Sequence, residues 1–158
     1  FRTRLKAGRL TRDENSCSHF CVYFAGYDKV AHRVFIGHHK KSGLWLFNGG
    51  HIDSGENITS AMLREIHEEW GDHISISSQL APSLLTITEI ENPTKQPCKI
   101  HFDIWFFISL DKSSFTPHAH LLEKEFFNWG WKTHDEAKAL IRNKETNRAL
   151  SAITLLFT

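Results

Sequence analysis

The segment GGHIDSGENITSAMLREIHEEWG, residues 49–71, brings Glu65, Glu68 and Glu69 within about one helical turn of each other, beside Arg64 and behind a glycine-rich turn. Carboxylates so spaced repel one another. At a separation of about 6 Å the cost is ~0.7 kcal/mol in bulk water but ~3 kcal/mol at an effective dielectric near 20. For a protein whose whole stability is on the order of 5–15 kcal/mol, three such charges at a half-buried edge need compensation. One arginine relieves part of the repulsion. A divalent cation relieves more, and hard oxygen donors are what Mg²⁺ or Mn²⁺ prefers. The competing reading is an acidic helix face in solvent, paired with Arg64.

Helix geometry bears on that choice. On a wheel of about 100° per residue, Ile58, Met62, Ile66 and Trp70 form an i, i+4 stripe for the core. Glu65 and Glu69 fall along the edge of this stripe, with Glu68 and Arg64 farther round, whereas a solubilising face would lie opposite. Gly49, Gly50 and Gly55 permit positive φ and close approach of a ligand. A loop that delivers oxyanions to a helix start beside metal-ready carboxylates suits a diphosphate.

The surrounding sequence supplies elements to hold this segment. Residues 18–26 and 32–40 read as strands, rich in aromatic and β-branched side chains, and 42–52 as a turn, a short strand and a glycine turn. Residues 57–70 read as a helix with Asn57 as N-cap. Strands over 84–90 and 98–110 are expected to pair as a hairpin across a turn at 92–97, with Ile100, Phe102, Ile104 and Phe106 on one face. A polar loop over 111–118 leads to a short strand at 126–132. Thr133 with Glu136 is a capping box opening a helix, and the C-terminal RALSAITLLF also reads as helical. With no repeat, low-complexity tract or linker, residues 1–158 are expected to form one α/β (α+β) domain.

Composition narrows the function classes. Of 158 residues 41% are apolar and 12% aromatic, which is globular rather than disordered. The net charge of +1 creates no overall field to recruit nucleic acid or membrane, and no apolar run approaches a membrane span. Arg2, Arg4, Lys6, Arg9 and Arg12 make a basic N-terminal segment, read as a solvated arm or helix face, with phosphate contact as the rival. Cys17, Cys21 and Cys98 form no C-x-x-C pair, which favours a reducing, cytoplasmic setting. Cys17, His19 and Cys21 alternate and so share one side of a strand. They are either small apolar packing groups, the favoured reading, or part of a zinc site. What precedes Phe1 stays open.

Residues 50–72 resemble the Nudix box, G-x5-E-x7-R-E-U-x-E-E-x-G-U with U a bulky apolar residue. It runs here as Gly50, Glu56, Arg64-Glu65-Ile66, Glu68-Glu69 and Gly71. The last U position departs, being Asp72, and Ile74 is the candidate for the missing apolar contact. HHKKSGLWLFNGGHID and IHFDIWFF also resemble a small bacterial-type subgroup. The resemblance implies a mixed β-sheet sandwiched between α-helices and a Mg²⁺- or Mn²⁺-dependent hydrolase of a nucleoside diphosphate linked to another group. It implies that Glu65 and Glu69 bind metal with Glu68 and the Gly49 carbonyl, that Arg64 orients the carboxylates, and that Glu56 supports the loop and an outer metal contact. Glu68 or Glu65 would accept the water's proton.

Outside the box, Glu123 and Glu125 are candidates for a further base or ligand, in a loop position, against a reading as surface charges. Lys40, with His38, His39 and Lys41, precedes the glycine loop and is a candidate phosphate contact. His51, beside Gly50, is the histidine expected to line the site, whereas His101 reads as a satisfied core histidine. Trp45, Trp70, Trp105, Trp129 and Trp131 read as core or rim more readily than as base-stacking surfaces. The stretch LLTITEI carries neither the proline nor the tyrosine that marks some subgroups, which argues against the ADP-ribose and dinucleoside-polyphosphate groups. The expected partner is a small nucleotide diphosphate, with a homodimer left open and nucleic acid disfavoured. Two alternatives stand beside the hydrolase: a nucleotide-binding regulator without catalysis, and an isopentenyl diphosphate isomerase, which would need a reactive cysteine in a site-facing loop.

Overall fold

The structure, a computed structural model, describes residues 1–158 apart from 75, 77–79, 91–96 and 158. In chain order the elements are α1 (Arg2–Ala7), β1 (Ser18–Asp28), β2 (Arg33–His39), β3 (Trp45–Leu46), β4 (Asn48–His51), α2 (Ile58–Glu69), β5 (Leu84–Glu89), β6 (Ile100–Ser109), α3 (Ala119–Glu125), β7 (Phe126–Thr133), α4 (His134–Leu140) and α5 (Lys144–Thr154).

β1 is the axis of a mixed seven-stranded sheet. It runs parallel to β6 from Ser18↔Ile100 to Tyr27↔Ser109, and β5 closes that side antiparallel to β6. On its other side, β1 pairs with β4 over Cys21↔His51 to Phe24↔Asn48, and with β2 only at Tyr27↔Val34 and Asp28↔Arg33. β2 pairs along its length with β7, and at its far end with β3. The sheet alternation sorts side chains between two layers. Phe20, Val22, Phe24, Ile104, Phe106 and Ile108 pack with Met62, Ile66 and Trp70 of α2. On the opposite face Ala25, Val34, Ile36 and Trp105 pack with Ala137 of α4 and Ala149, Leu150 and Ile153 of α5. The helices therefore sandwich the sheet, as expected.

Local chemistry accounts for the helix ends. The Asn57 side chain accepts from the Ser60 N–H at 2.9 Å, and Thr133 with Glu136 forms the reciprocal capping box. Asp72 is exposed, and Ile74, two residues on, packs against the core below α2 in the role of the apolar group.

Residues 119–125 are a helix, α3, so Glu123 and Glu125 sit on its last turn and not in a loop. AHLLEKE is built of strong helix formers and anchored by the fully buried Leu122, but two turns are too short for an apolar period to show. The turn expected at 92–97 lies outside the described residues except for Pro97.

Candidate active site

α2 lays its apolar stripe on the sheet, and the stripe's edge carries the carboxylates under the β4 backbone. Glu69 is 5% and Glu65 9% exposed. The Gly49 N–H donates to Glu69 Oε2 at 3.2 Å. A Cβ built on Gly50 would stand 2.2 Å from Glu65 Oε1, so only glycine leaves room for that carboxylate against the strand.

Arg64 organises the rest. Its Nε and Nη2 donate to Glu56 Oε1 and Oε2 at 2.7 and 2.9 Å as a two-pronged fork. Nη1 donates to Glu65 Oε1 at 2.9 Å and Glu68 Oε2 at 3.1 Å, and Nη2 donates to the His51 carbonyl at 2.9 Å. Asp53, which the sequence reading did not single out, lies 3.6 Å from Arg64, and its N–H donates to Glu56 Oε2 at 3.0 Å. Gly55, at φ 82°, lets the chain reverse between Asp53 and the N-cap.

The electrostatics fit a cation site. Burial pushes the Glu69 carboxyl well above the ordinary carboxylate range, reinforced by the charges of Glu65 and Glu125 and tempered by the Gly49 N–H. Burial also raises Glu65, against the lowering effect of Arg64. The Arg64 fork lowers Glu56. Glu68 keeps a side chain 58% exposed. The guanidinium thus serves Glu56, Glu65 and Glu68, and Glu69 is left to the neutral Gly49 N–H. Two desolvated hard-oxygen groups with this deficit fit a hard divalent cation.

The candidates outside the box divide. Glu125 acts electrostatically on Glu69, and its Oε2 lies 3.6 Å from His39 Nε2. Glu123 is exposed, and its carbonyl accepts from the Lys40 ammonium, so Lys40 is tied to the end of α3. The Lys40 N–H donates to the Glu125 carbonyl at 2.8 Å. The His51 ring does not line the carboxylate site. Opposite Cys21 in register, it projects from the sheet face away from α2, and only its carbonyl serves Arg64. His101 is not satisfied, for its buried Nε2 has no hydrogen-bond partner among the described residues. Trp70 and Trp105 are core, while Trp45, Trp129 and Trp131 are half-buried. Cys21 is buried in β1 and Cys98 is buried, while the exposed Cys17 precedes β1.

Comparisons with known proteins agree with this geometry. Residues 21–152 match the NUDIX domain family. An RNA pyrophosphohydrolase of Francisella tularensis subsp. mediasiatica is 32% identical over 112 residues, 65% of this chain and 70% of the relative. Among solved structures, the Escherichia coli dihydroneopterin triphosphate pyrophosphohydrolase superposes with a TM-score of 0.69 at 17% identity, covering 86% of this chain and 94% of that one. The Caenorhabditis elegans Ap4A hydrolase gives 0.64 at 18%, covering 88% and 98%. With the family match spanning most of its length and the glutamates held around Arg64, this chain belongs to the NUDIX hydrolases, enzymes that act on pyrophosphate bonds of nucleotide derivatives.

Proposed function

We propose that this chain is a divalent-metal-dependent pyrophosphohydrolase that cleaves the diphosphate linkage of a nucleoside diphosphate joined to another group. The observation that carries the reading is the division of labour around Arg64: Glu65 and Glu69 desolvated against the β4 backbone, and Glu68 exposed one turn away. Glu65 and Glu69 would hold Mg²⁺ or Mn²⁺, with Glu56, Glu68 and the Gly49 carbonyl as further oxygen donors. Bound there, the cations supply charge neutralisation of the diphosphate and acidification of a water.

Glu68, solvent-reachable and restrained by Arg64, is suited to accept the proton from the attacking water, with Glu65 the second candidate. Arg64 fixes the relative positions of Glu56, Glu65 and Glu68. Gly50 leaves space for Glu65. Glu125 adds a negative charge near Glu69 and is the better placed of the two α3 carboxylates to act as an outer ligand. Lys40 lies on the rim formed by the end of α3.

A second substrate reading, a pyrophosphate linkage of an RNA, is prompted by the Francisella relative's name. A structural feature also supports it: Arg12, the last basic residue of the N-terminal segment, lies 3.9 Å from Asp53 of the loop. The test is a panel of nucleoside triphosphates, dinucleoside polyphosphates, nucleotide sugars and 5′-triphosphate RNA with Mg²⁺ or Mn²⁺, run on wild type, Glu68→Gln and Glu69→Gln. Loss of turnover in folded variants is the expected result. Unchanged turnover in both would refute the roles, and a wild type that binds but cleaves nothing would return the non-catalytic reading.

A further inference from the structure

On the sheet face away from α2, four side chains from three strands converge with no part in the reaction described above. His19 and Cys21 come from β1, His51 from β4 and His101 from β6. One donor atom from each lies within 4.8 Å of every other. The rings of His19 and His51 have centroids 4.8 Å apart, those of His19 and His101 4.9 Å, and those of His51 and His101 5.2 Å. Strand register produces the arrangement: His19↔His101 and Cys21↔His51 are direct partners, and all four point the same way out of the pleat.

We propose that His19, Cys21, His51 and His101 form a second metal site, selective for a borderline-soft ion of the Zn²⁺ class and separate from the carboxylate site.

The donor set is three imidazoles and one thiol, nitrogen and sulfur donors of the kind that Zn²⁺ binds in four-coordinate sites and that Mg²⁺ does not prefer. Bonds of about 2.0–2.3 Å place tetrahedral ligand atoms about 3.3–3.8 Å apart, so a bound ion would draw this cluster in by about 1 Å. His101 is 8% exposed with its Nε2 unpartnered among the described residues, a buried donor that a metal would satisfy. The His19 Nδ1 stands 3.0 Å from the Asn15 carbonyl, which can only accept. The ring proton is therefore on Nδ1 and the lone pair on Nε2, the outer-shell arrangement that fixes a ligating histidine.

Cys98 borders the cluster, its Sγ 3.5 Å from His19 Nε2 and 4.0 Å from His51 Nε2, as a neighbour and not a ligand. Asp103, the register partner of Cys21, is buried with Oδ1 unpartnered among the described residues, and offers a counter-charge to a metal–thiolate. Half-buried His51 leaves a path of entry. The sequence favoured Cys17, His19 and Cys21 as packing groups, with a zinc site as the rival reading; the cluster differs from both, for Cys17 is exposed ahead of β1 and the further ligands come from strands remote in sequence.

The test is Co²⁺ titration of the full chain after chelation, in a phosphine reductant, followed by optical absorption. Wild type is expected to take up one equivalent that shows thiolate-to-cobalt charge transfer and the intense visible bands of tetrahedral Co²⁺, displaced by one equivalent of Zn²⁺. Cys21→Ser should lose the charge transfer. His101→Ala should weaken uptake by more than about 100-fold, beyond what outer-shell changes cost. Cys98→Ser, and the double variant Glu65→Gln with Glu69→Gln, should keep the full spectrum. A wild-type spectrum without charge transfer overturns the proposal, and this reading needs no variant to fold. Charge transfer that survives Cys21→Ser, or vanishes in Cys98→Ser instead, overturns the ligand set. The readout is independent of hydrolysis, so its failure leaves the catalytic reading intact.

Discussion

Arg64 serves two prongs of Glu56, one oxygen each of Glu65 and Glu68, and the His51 carbonyl, a geometry that only a planar guanidinium meets. Arg64→Lys keeps the charge but loses the fork. It should reduce kcat/KM on the order of 10²-fold, since a misplaced carboxylate of about 1 Å costs that much. Circular dichroism should show the fold retained. Gly50→Ala is a sharper probe. Its Cβ would meet the flexible end of Glu65, so stability should fall little, whereas apparent affinity for Mg²⁺ or Mn²⁺ should drop at least about 10-fold as the carboxylate is displaced. Isothermal titration of metal into the variant checks this; unchanged affinity would remove Glu65 from the ligand set. Glu68→Gln should lower kcat by about 10²–10⁴-fold, the loss expected when a proton acceptor is removed.

Among the elements, α2 depends on its two ends. Asn57→Ala removes the N-cap and should cost about 1 kcal/mol by chemical denaturation. At the other end Trp70 is fully buried, with Phe24 and Phe115 rings at centroid distances of 4.7 and 4.9 Å, so Trp70→Ala should cost about 3–5 kcal/mol.

The end of β1 gives a pH-dependent case. The Asp28 carboxylate accepts from the Ala31 and Lys112 N–H groups at 2.8 and 2.7 Å, and the first of these bonds does most to hold its pKa below the ordinary aspartate value. A depressed carboxyl stabilises the fold above its unfolded pKa, and that contribution is lost as pH falls through the folded value. Wild type should therefore melt higher than Asp28→Ala at neutral pH, and the gap should begin to narrow as pH falls below about 4. A difference in Tm independent of pH would mean that the charge plays no part.

At the scale of the whole molecule, β1 separates two layers with different inventories: hard carboxylates toward α2, and imidazoles with a thiol on the other side. Mg²⁺ or Mn²⁺ binding to the native state alone should raise the Tm, by about 2.7 kcal/mol of stabilisation at one hundred times Kd, and Glu69→Gln should abolish the rise.

The i, i+4 stripe of α2, its Asn57 cap and the spacing of Glu65, Glu68 and Glu69 were legible from the chain, because a helix converts sequence spacing into spatial proximity within a few residues. Most strands were legible for the same reason, since the period-two pattern is local. α3 was not, because seven residues carry too few turns to declare a period. Nor was the direction of the His51 ring, which depends on the strand to which β4 pairs. The convergence of His19, Cys21, His51 and His101 was equally hidden, because 82 residues separate its ends and only parallel pairing of β1 with β6 brings them together. Sequence alone determined which groups lie one helical turn apart; tertiary structure decided which strands are neighbours and on which face each side chain emerges, because register is set by packing the whole sheet between its helices.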